Sequence, residues 1–350
     1  MSGRRVLLTG HLGYIGSVLS GHLLEAGHHV VGLDSGLFED CVLGDRPEPL
    51  ETIGRDLRDV GPGDLEGFDS VVHLAALSND PIGNLDETWT REINDRGSVR
   101  LAAMAKEAGV ERFLFSSSCI MYGMSEAAVV DEDSPLDPQT EYARSKVRAE
   151  EGIRRLASES FSPVFLRNGT IYGFSPRMRF DTVLNSLVGA AVTTGKVVVR
   201  GDGSPWRPVV HVDDVSRAFA HVLDAPREAV HAEAFNVGAD SLNHTVLELA
   251  KVAEAAVPGS ALEILAEPSA DRRTYKADFG KFARTFPDFE WRWNAETGAR
   301  RLAGNLAALG LTEEQFAGPR YIRLRWLTRL LESGELDPSL RWATAAGAVG

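Results

Sequence analysis

Two short stretches hold the side chains best suited to moving a proton. Tyr142-Ala143-Arg144-Ser145-Lys146 sets a phenol and an ammonium one helical turn apart on the same face. A phenol titrates near pH 10 and is a poor base at neutrality. A fixed positive charge beside it favours the phenolate and brings its pKa toward working pH. Upstream, Ser116-Ser117-Ser118 closes an apolar run that reads as a strand. A hydroxyl there can hold the oxygen whose proton the tyrosine takes. Tyr-x-x-x-Lys occurs in many unrelated helices, and the serine run ahead of it gives it weight.

A second group of residues suits a dinucleotide. Thr9-Gly10-His11-Leu12-Gly13-Tyr14-Ile15-Gly16 follows one predicted strand and opens a predicted helix. Glycines in such a turn allow the backbone, from Gly10 through Gly13, Tyr14, Ile15 and Gly16, to approach a pyrophosphate on the helix's N-terminal amides. The next strand ends in Leu33-Asp34, where a carboxylate accepts hydrogen bonds from ribose hydroxyls and repels a 2′-phosphate, favouring NAD over NADP. Asp34 as a plain turn residue is the alternative. Asp56, before Leu57, could contact the adenine amino group or be a surface residue. His73-Leu74-Ala75-Ala76 ends another strand in small residues, as close approach to a cofactor requires, with His73 itself read as packed.

These residues need a scaffold that brings strand ends together. Apolar runs at 5–9, 29–33, 70–74, 112–116 and 162–167 alternate with helical patterns at 17–26, 94–108 and 141–156. That rhythm predicts βαβ units and a doubly wound parallel sheet, an α/β Rossmann-like domain over residues 1–175. Residues 176–310 read as a smaller α/β substrate-capping domain, with a helix over 180–193. Residues 208–240 return to the main body through 208–212 and a helix over 213–223. Residues 311–350 read as a helical C-terminal extension, with a helix over 320–331 that packs on this body or on another subunit rather than on a membrane surface.

Composition fits an ordinary globular protein. The chain has 350 residues, 43% hydrophobic and 25% charged, and a net charge of −13. Such a chain has no general attraction for nucleic acid or an anionic membrane. Cys41 and Cys119 make neither a disulfide framework nor a four-thiolate zinc site, so a reducing compartment is the natural reading, and no residue is singled out as a metal ligand. The apolar start at 6–8 is too short for a secretion signal or a membrane span, which points to a cytoplasmic protein.

The sequence resembles the extended short-chain dehydrogenase/reductases, specifically the NAD-dependent nucleotide-sugar epimerase/dehydratase group, over roughly residues 4–300. The motifs are Thr9–Gly16, His73–Ala76, Asn94, Ser116–Gly123, Tyr142–Lys146 and His211–Val215. The resemblance implies that Ser118, Tyr142 and Lys146 are the catalytic trio, with Lys146 also on the nicotinamide ribose. Asn94 would support the site or simply pack a helix. Tyr142 would take a sugar hydroxyl proton as the carbon beneath gives hydride to NAD, leaving a keto sugar that an epimerase reduces from its other face. The family's 4,6-dehydratases carry an Asp-Glu pair where this chain has Cys119 and Ile120, so dehydration is disfavoured. Cys119 would face the sugar or be a packed thiol. Thr170 stands where many 4-epimerases have an Asn on the substrate diphosphate, and Asn168 could substitute. Arg207 and Arg272, with Arg273 beside it, are diphosphate candidates, since arginine's forked donors suit paired oxygens. Arg177 and Asn185 lie where relatives contact the nucleotide. A homodimer through the helices holding 94–108 and 141–156 is implied.

Three outcomes stay open: an epimerase; a net oxidoreductase, decarboxylase or C3/C5 epimerase working through the same keto sugar; and a non-enzymatic dinucleotide-sensing protein.

Overall fold

Val6-Leu7-Leu8, Val30-Val31, Val71-Val72, Phe113-Leu114-Phe115 and Val164-Phe165-Leu166 are buried without alternation. Runs buried on both faces are what the middle strands of a parallel sheet require. The computed structural model, which describes residues 3–78, 85–124, 129–267 and 273–343, builds them into β1 (Arg5–Thr9), β2 (His29–Asp34), β4 (Ser70–His73), β5 (Arg112–Ser118) and β6 (Ser162–Asn168). With β3 (Glu51–Gly54) and β10 (Ala234–Val237) they form one seven-stranded sheet in the order β10-β6-β5-β4-β1-β2-β3, every pairing parallel.

Helices cover both faces. α1 (Gly16–Glu25) and α5 (Val212–Asp224) share one core, where Leu19 and Leu23 meet Val215 and Phe219. On the other face, Leu101 and Ala105 of α2 (residues 87–107) and Ala149 and Ile153 of α3 (Glu141–Arg154) join a second core. α2 runs as Glu87–Thr90, then a π-helical stretch Arg91–Gly97, then Ser98–Glu107. The helix expected over 94–108 thus starts earlier, at an N-cap where Asp86 accepts from the Thr88 amide at 2.7 Å. Its opening residues, Glu87-Thr88-Trp89-Thr90, carry no apolar periodicity to announce them. The expected helix over 180–193 is α4 (Val183–Thr194), begun by extended Thr182 and ended by left-handed Gly195.

The remaining elements make a third core. It joins α4, α6 (Val246–Ala256) and α7 (Ala295–Ala308) to the paired strands β8 (Lys196–Arg200) and β12 (Ala261–Leu265). A three-stranded sheet, β11-β9-β7, comprises Asn243–Thr245, Trp206–His211 and Thr170–Tyr172. The segment 208–212 therefore does not enter the main sheet. Within 208–240 it is α5 and β10 that join the first body, because β9 is already paired on both sides by β7 and β11. α8 (Arg323–Glu332) packs Trp326, Leu327 and Leu330 into the second core beside Leu37 and Cys41. Among the described residues no helix is long and apolar enough to cross a membrane.

Candidate functional site

Strand order reverses between β1 and β4, and in such sheets the crevice beyond the strands' carboxyl ends is where ligands bind. Register sets the ends level: Thr9 stands beside Leu33 of β2 and His73 of β4. The turn that follows is built from close backbone contacts. Gly10 sits at φ +75°, and a Cβ there would lie 2.7 Å from the Ala75 nitrogen. A Cβ on Gly16 would lie 2.3 Å from the Gly10 oxygen. Asp34 holds the turn from β2, accepting from the Leu12 amide at 3.1 Å and the Gly36 amide at 2.9 Å. The cradle thus has glycine where any side chain would fill it, at the N-terminus of α1, as a dinucleotide's diphosphate requires. Gly16→Ala should cost about 1–3 kcal/mol through overpacking and abolish dinucleotide binding; thermal denaturation with and without NAD measures both.

Behind the turn, each buried proton has one place to go. Ser98 donates to the Asn94 carbonyl at 2.7 Å, so it accepts from His73 Nε2 at 2.8 Å. His73 Nδ1 then accepts from the Thr9 hydroxyl at 2.6 Å, whose oxygen accepts from the Ala75 amide at 3.2 Å. Burial, aided by the charge of Lys146, pushes His73 down to about 3, so the ring is neutral and serves as a strut. The Asn94 side chain clamps Leu77, accepting from its amide at 2.8 Å and donating to its carbonyl at 2.9 Å. Asn94 lies in the π-helical stretch of α2, a distortion that often accompanies functional sites.

The chemical end is set by β5, β6 and α3. Lys146, 4% exposed, donates to the Ser116 carbonyl at 2.7 Å, and its Nζ lies 5.9 Å from the centre of the Tyr142 ring. Burial pulls this ammonium down to about 8, against the charge of Glu150 one turn further along. Asn168, level with Ser118 on β6, donates to Ser116 Oγ and to the Ser117 carbonyl, both at 3.1 Å. Ser118 Oγ accepts from the Ile120 amide at 3.3 Å, which leaves the hydroxyl proton to donate elsewhere.

The glycine turn and the chemical end open on one cleft of about 340 Å³. Its walls include Gly10, Gly13, Tyr14, Ile15, Gly16, Asp34, Asp56, Leu57, Leu74, Ala75 and Ala76 at one end, and Ser118, Tyr142, Lys146, Thr170 and Arg207 at the other. Asp56 lines it with its carboxylate already engaged by Arg58, at 2.9 and 2.6 Å. Arg207 is 7% exposed and donates to the carbonyls of Trp206 and Arg273.

Three sequence candidates lie behind these walls. The Cys119 thiol is fully buried, points to the Arg167 carbonyl at 3.1 Å, and is pushed far up by burial. Asn185 is equally buried and spends its amide on Gly173, Tyr14 and the Arg179 carbonyl. Arg177 donates to the Phe38 carbonyl at 3.4 Å. Arg272 lies outside the described residues. Three cleft-lining arginines, Arg55, Arg179 and Arg323, were not among the sequence candidates. Arg179 had a usable signal, since Asp181 two residues on can pair with it, and does at 2.6 Å. Arg323 had none.

Comparison with known proteins follows this geometry. The model of the NAD dependent epimerase/dehydratase family matches residues 6–238. The UDP-glucose 4-epimerase of Mycolicibacterium smegmatis is 33% identical over 67% of this chain and 77% of its own length. The dTDP-D-glucose 4,6-dehydratase of Homo sapiens is 28% identical over 71% of this chain and 72% of its own. Among solved structures, MoeE5 in complex with UDP-glucose and NAD has a TM-score of 0.74 at 28% identity, covering 87% of this chain and 99% of that one. The matched stretch runs from β1 through β10 and takes in both the glycine turn and the Tyr142–Lys146 helix: the chain belongs to the NAD-dependent epimerase/dehydratase family.

Proposed function

We propose that this chain is an epimerase of nucleotide-linked sugars that works through a transient keto sugar, with Tyr142 as the base. One observation favours epimerisation over dehydration. Of the two side chains after Ser118, Ile120 lines the cleft and has no proton to exchange, while the Cys119 thiol is turned away into the core. Losing water would need an acid and a base at that point, and epimerisation needs only one base that takes a proton and later returns it.

NAD, when bound, supplies the acceptor and donor of hydride. The chain's own residues handle the proton and the oxygen. Ser118 donates to the sugar oxygen, and Tyr142, held as the phenolate by the Lys146 ammonium, removes the sugar hydroxyl's proton and becomes the neutral phenol. Arg207, with Thr170 nearby on the wall, suits the substrate diphosphate. The sugar then presents its other face, and Tyr142 gives the proton back.

Incubation with UDP-, dTDP- and GDP-hexoses, followed by NMR of the products, tests this reading. A redox-neutral isomer formed without added NAD is expected. A dehydrated keto-deoxy sugar, or one equivalent of reduced cofactor released per sugar, would overturn it.

The buried ammonium adds a pH dependence. Below about 8 Lys146 carries the charge that holds the phenolate; as pH rises through that value the charge is lost. The rate should therefore show a falling basic limb near pH 8 in kcat/KM, shifted upward in Lys146→Arg; a flat profile to pH 10 rules it out. For folding the sign is reversed. Between about 8 and the unfolded lysine's pKa of about 10.4, the unfolded chain holds the extra proton, so this group's contribution to stability rises with pH.

A further inference from the structure

The extension that follows α7 reaches back to the mouth of the cleft. Trp326 Nε1 donates to the Leu37 carbonyl at 2.7 Å, and the Tyr321 hydroxyl donates to the Val42 carbonyl at 2.9 Å. This docking sets Arg323, the first residue of α8, against the loop after β2. Its guanidinium lies 4.6 Å from the centre of the Phe38 ring and donates through Nη2 to the Arg177 carbonyl at 2.9 Å. Arg323 is 3% exposed and lines the cleft, yet its Nη1 is buried with no hydrogen-bond partner.

Three arginines, Arg177, Arg179 and Arg323, stand together here, and of these only Arg179 is ion-paired among the described residues. Arg177, also 3% exposed, has a buried Nε without a partner. Arg179 is paired with Asp181 and donates to Ser78 Oγ at 2.9 Å. Among the described residues, neither Arg177 nor Arg323 forms an ion pair with a carboxylate. A buried cation without a counter-charge is costly, and a buried donor without an acceptor adds to that cost. Across the cleft stand Tyr14, Ile15 and the amides that open α1, with Asn185 tying Tyr14 to Arg179 through its amide nitrogen, at 3.0 and 3.1 Å. An anion between these two walls would meet N–H groups from both.

We propose that Arg323 is a cofactor-binding residue, its Nη1 donating to the diphosphate of the dinucleotide, so that the C-terminal extension clamps the cofactor against the glycine turn. The place favours the cofactor's diphosphate over the substrate's. Phe38, on which Arg323 stacks, lines the cleft with Asp34, Ser35 and Leu37 at the ribose-binding end, whereas Arg207 and Thr170 lie at the sugar end. The inference rests on the dinucleotide reading of the cleft and holds for an epimerase or any other member of the family.

Calorimetric titration of wild type, Arg323→Met and Arg323→Lys with NAD, adenosine and UDP tests it, with the melting temperature of each ligand-free protein as a check on folding. A charge-assisted hydrogen bond lost from a closed site should weaken NAD by about 10- to 100-fold in Arg323→Met. Arg323→Lys, which keeps the charge without the fork, should lose less and remains the test if the methionine variant does not fold. Adenosine, which has the ribose but no phosphate, and UDP should bind as they do to wild type. Unchanged NAD affinity in a folded variant overturns the clamp, as does an equal loss for adenosine or a loss confined to UDP. Wild type that fails to bind NAD overturns the dinucleotide reading itself, and the clamp with it.

Discussion

Tyr142→Phe should lower turnover by about 10²- to 10⁴-fold, the range a positioned acid–base group supplies, while NAD affinity stays within about twofold of wild type. The phenylalanine keeps the ring on α3 and removes only the oxygen that exchanges the proton. Of its neighbours on the wall, Lys146 is committed to the Ser116 carbonyl and Ile120 is inert. Single-turnover measurement with the preferred sugar nucleotide separates the effect on chemistry from that on binding. Turnover persisting near the wild-type rate would remove Tyr142 from the role of base, and with it the proposed mechanism.

Arg167→Met should cost about 3–5 kcal/mol of stability, the usual result of leaving one member of a buried ion pair alone. Arg167 and Glu150 have side chains only 6% and 5% exposed and meet at 2.8 Å through Nη2, with Nε at 3.0 Å. Arg167 Nη1 also donates to the Tyr122 hydroxyl and to the Glu132 carbonyl, both at 3.0 Å. Removing it strands a carboxylate in the core, one helical turn from Lys146. Urea denaturation measures the loss. The double variant Arg167→Met, Glu150→Leu should recover most of it, because apolar replacement of a whole buried pair is often neutral. A single-variant loss under about 1 kcal/mol would mean that water reaches the pair.

Some of this was legible from the chain alone. Runs such as Val6-Leu7-Leu8 and Phe113-Leu114-Phe115 identified sheet strands because burial on both faces leaves no alternation. The glycine turn was legible because Gly13 and Gly16 answer to the nearby Gly10 carbonyl, although Gly10 itself answers to Ala75 beyond β4. Ser118, Tyr142 and Lys146 were placed in one cleft because strand end and helix follow one another directly in the chain. Other features depend on partners that local pattern does not encode. Asn185 and Arg177 stand in the right segment but face inward, each two positions from a residue that does line the cleft, Val183 and Arg179. The π-helical stretch Arg91–Gly97 has no periodic signature. It is permitted by Gly97, where a Cβ would lie 3.0 Å from the Glu92 carbonyl and 3.2 Å from Leu57 Cδ2. The segment 208–212 has the apolar content of a sheet strand, and only its neighbours reveal which sheet it enters.

The hydrogen bond from Trp326 to Leu37 spans 289 positions of sequence. During translation, domains fold as units from the N-terminal side, so β1, β2 and the glycine turn leave the ribosome long before α8. A nascent chain can therefore assemble the sheet while the cleft still lacks one flank. Nucleotide that reached such an intermediate would find the turn but no cover over Phe38. Contacts this distant also close slowly, which makes sealing that flank a late step in maturation.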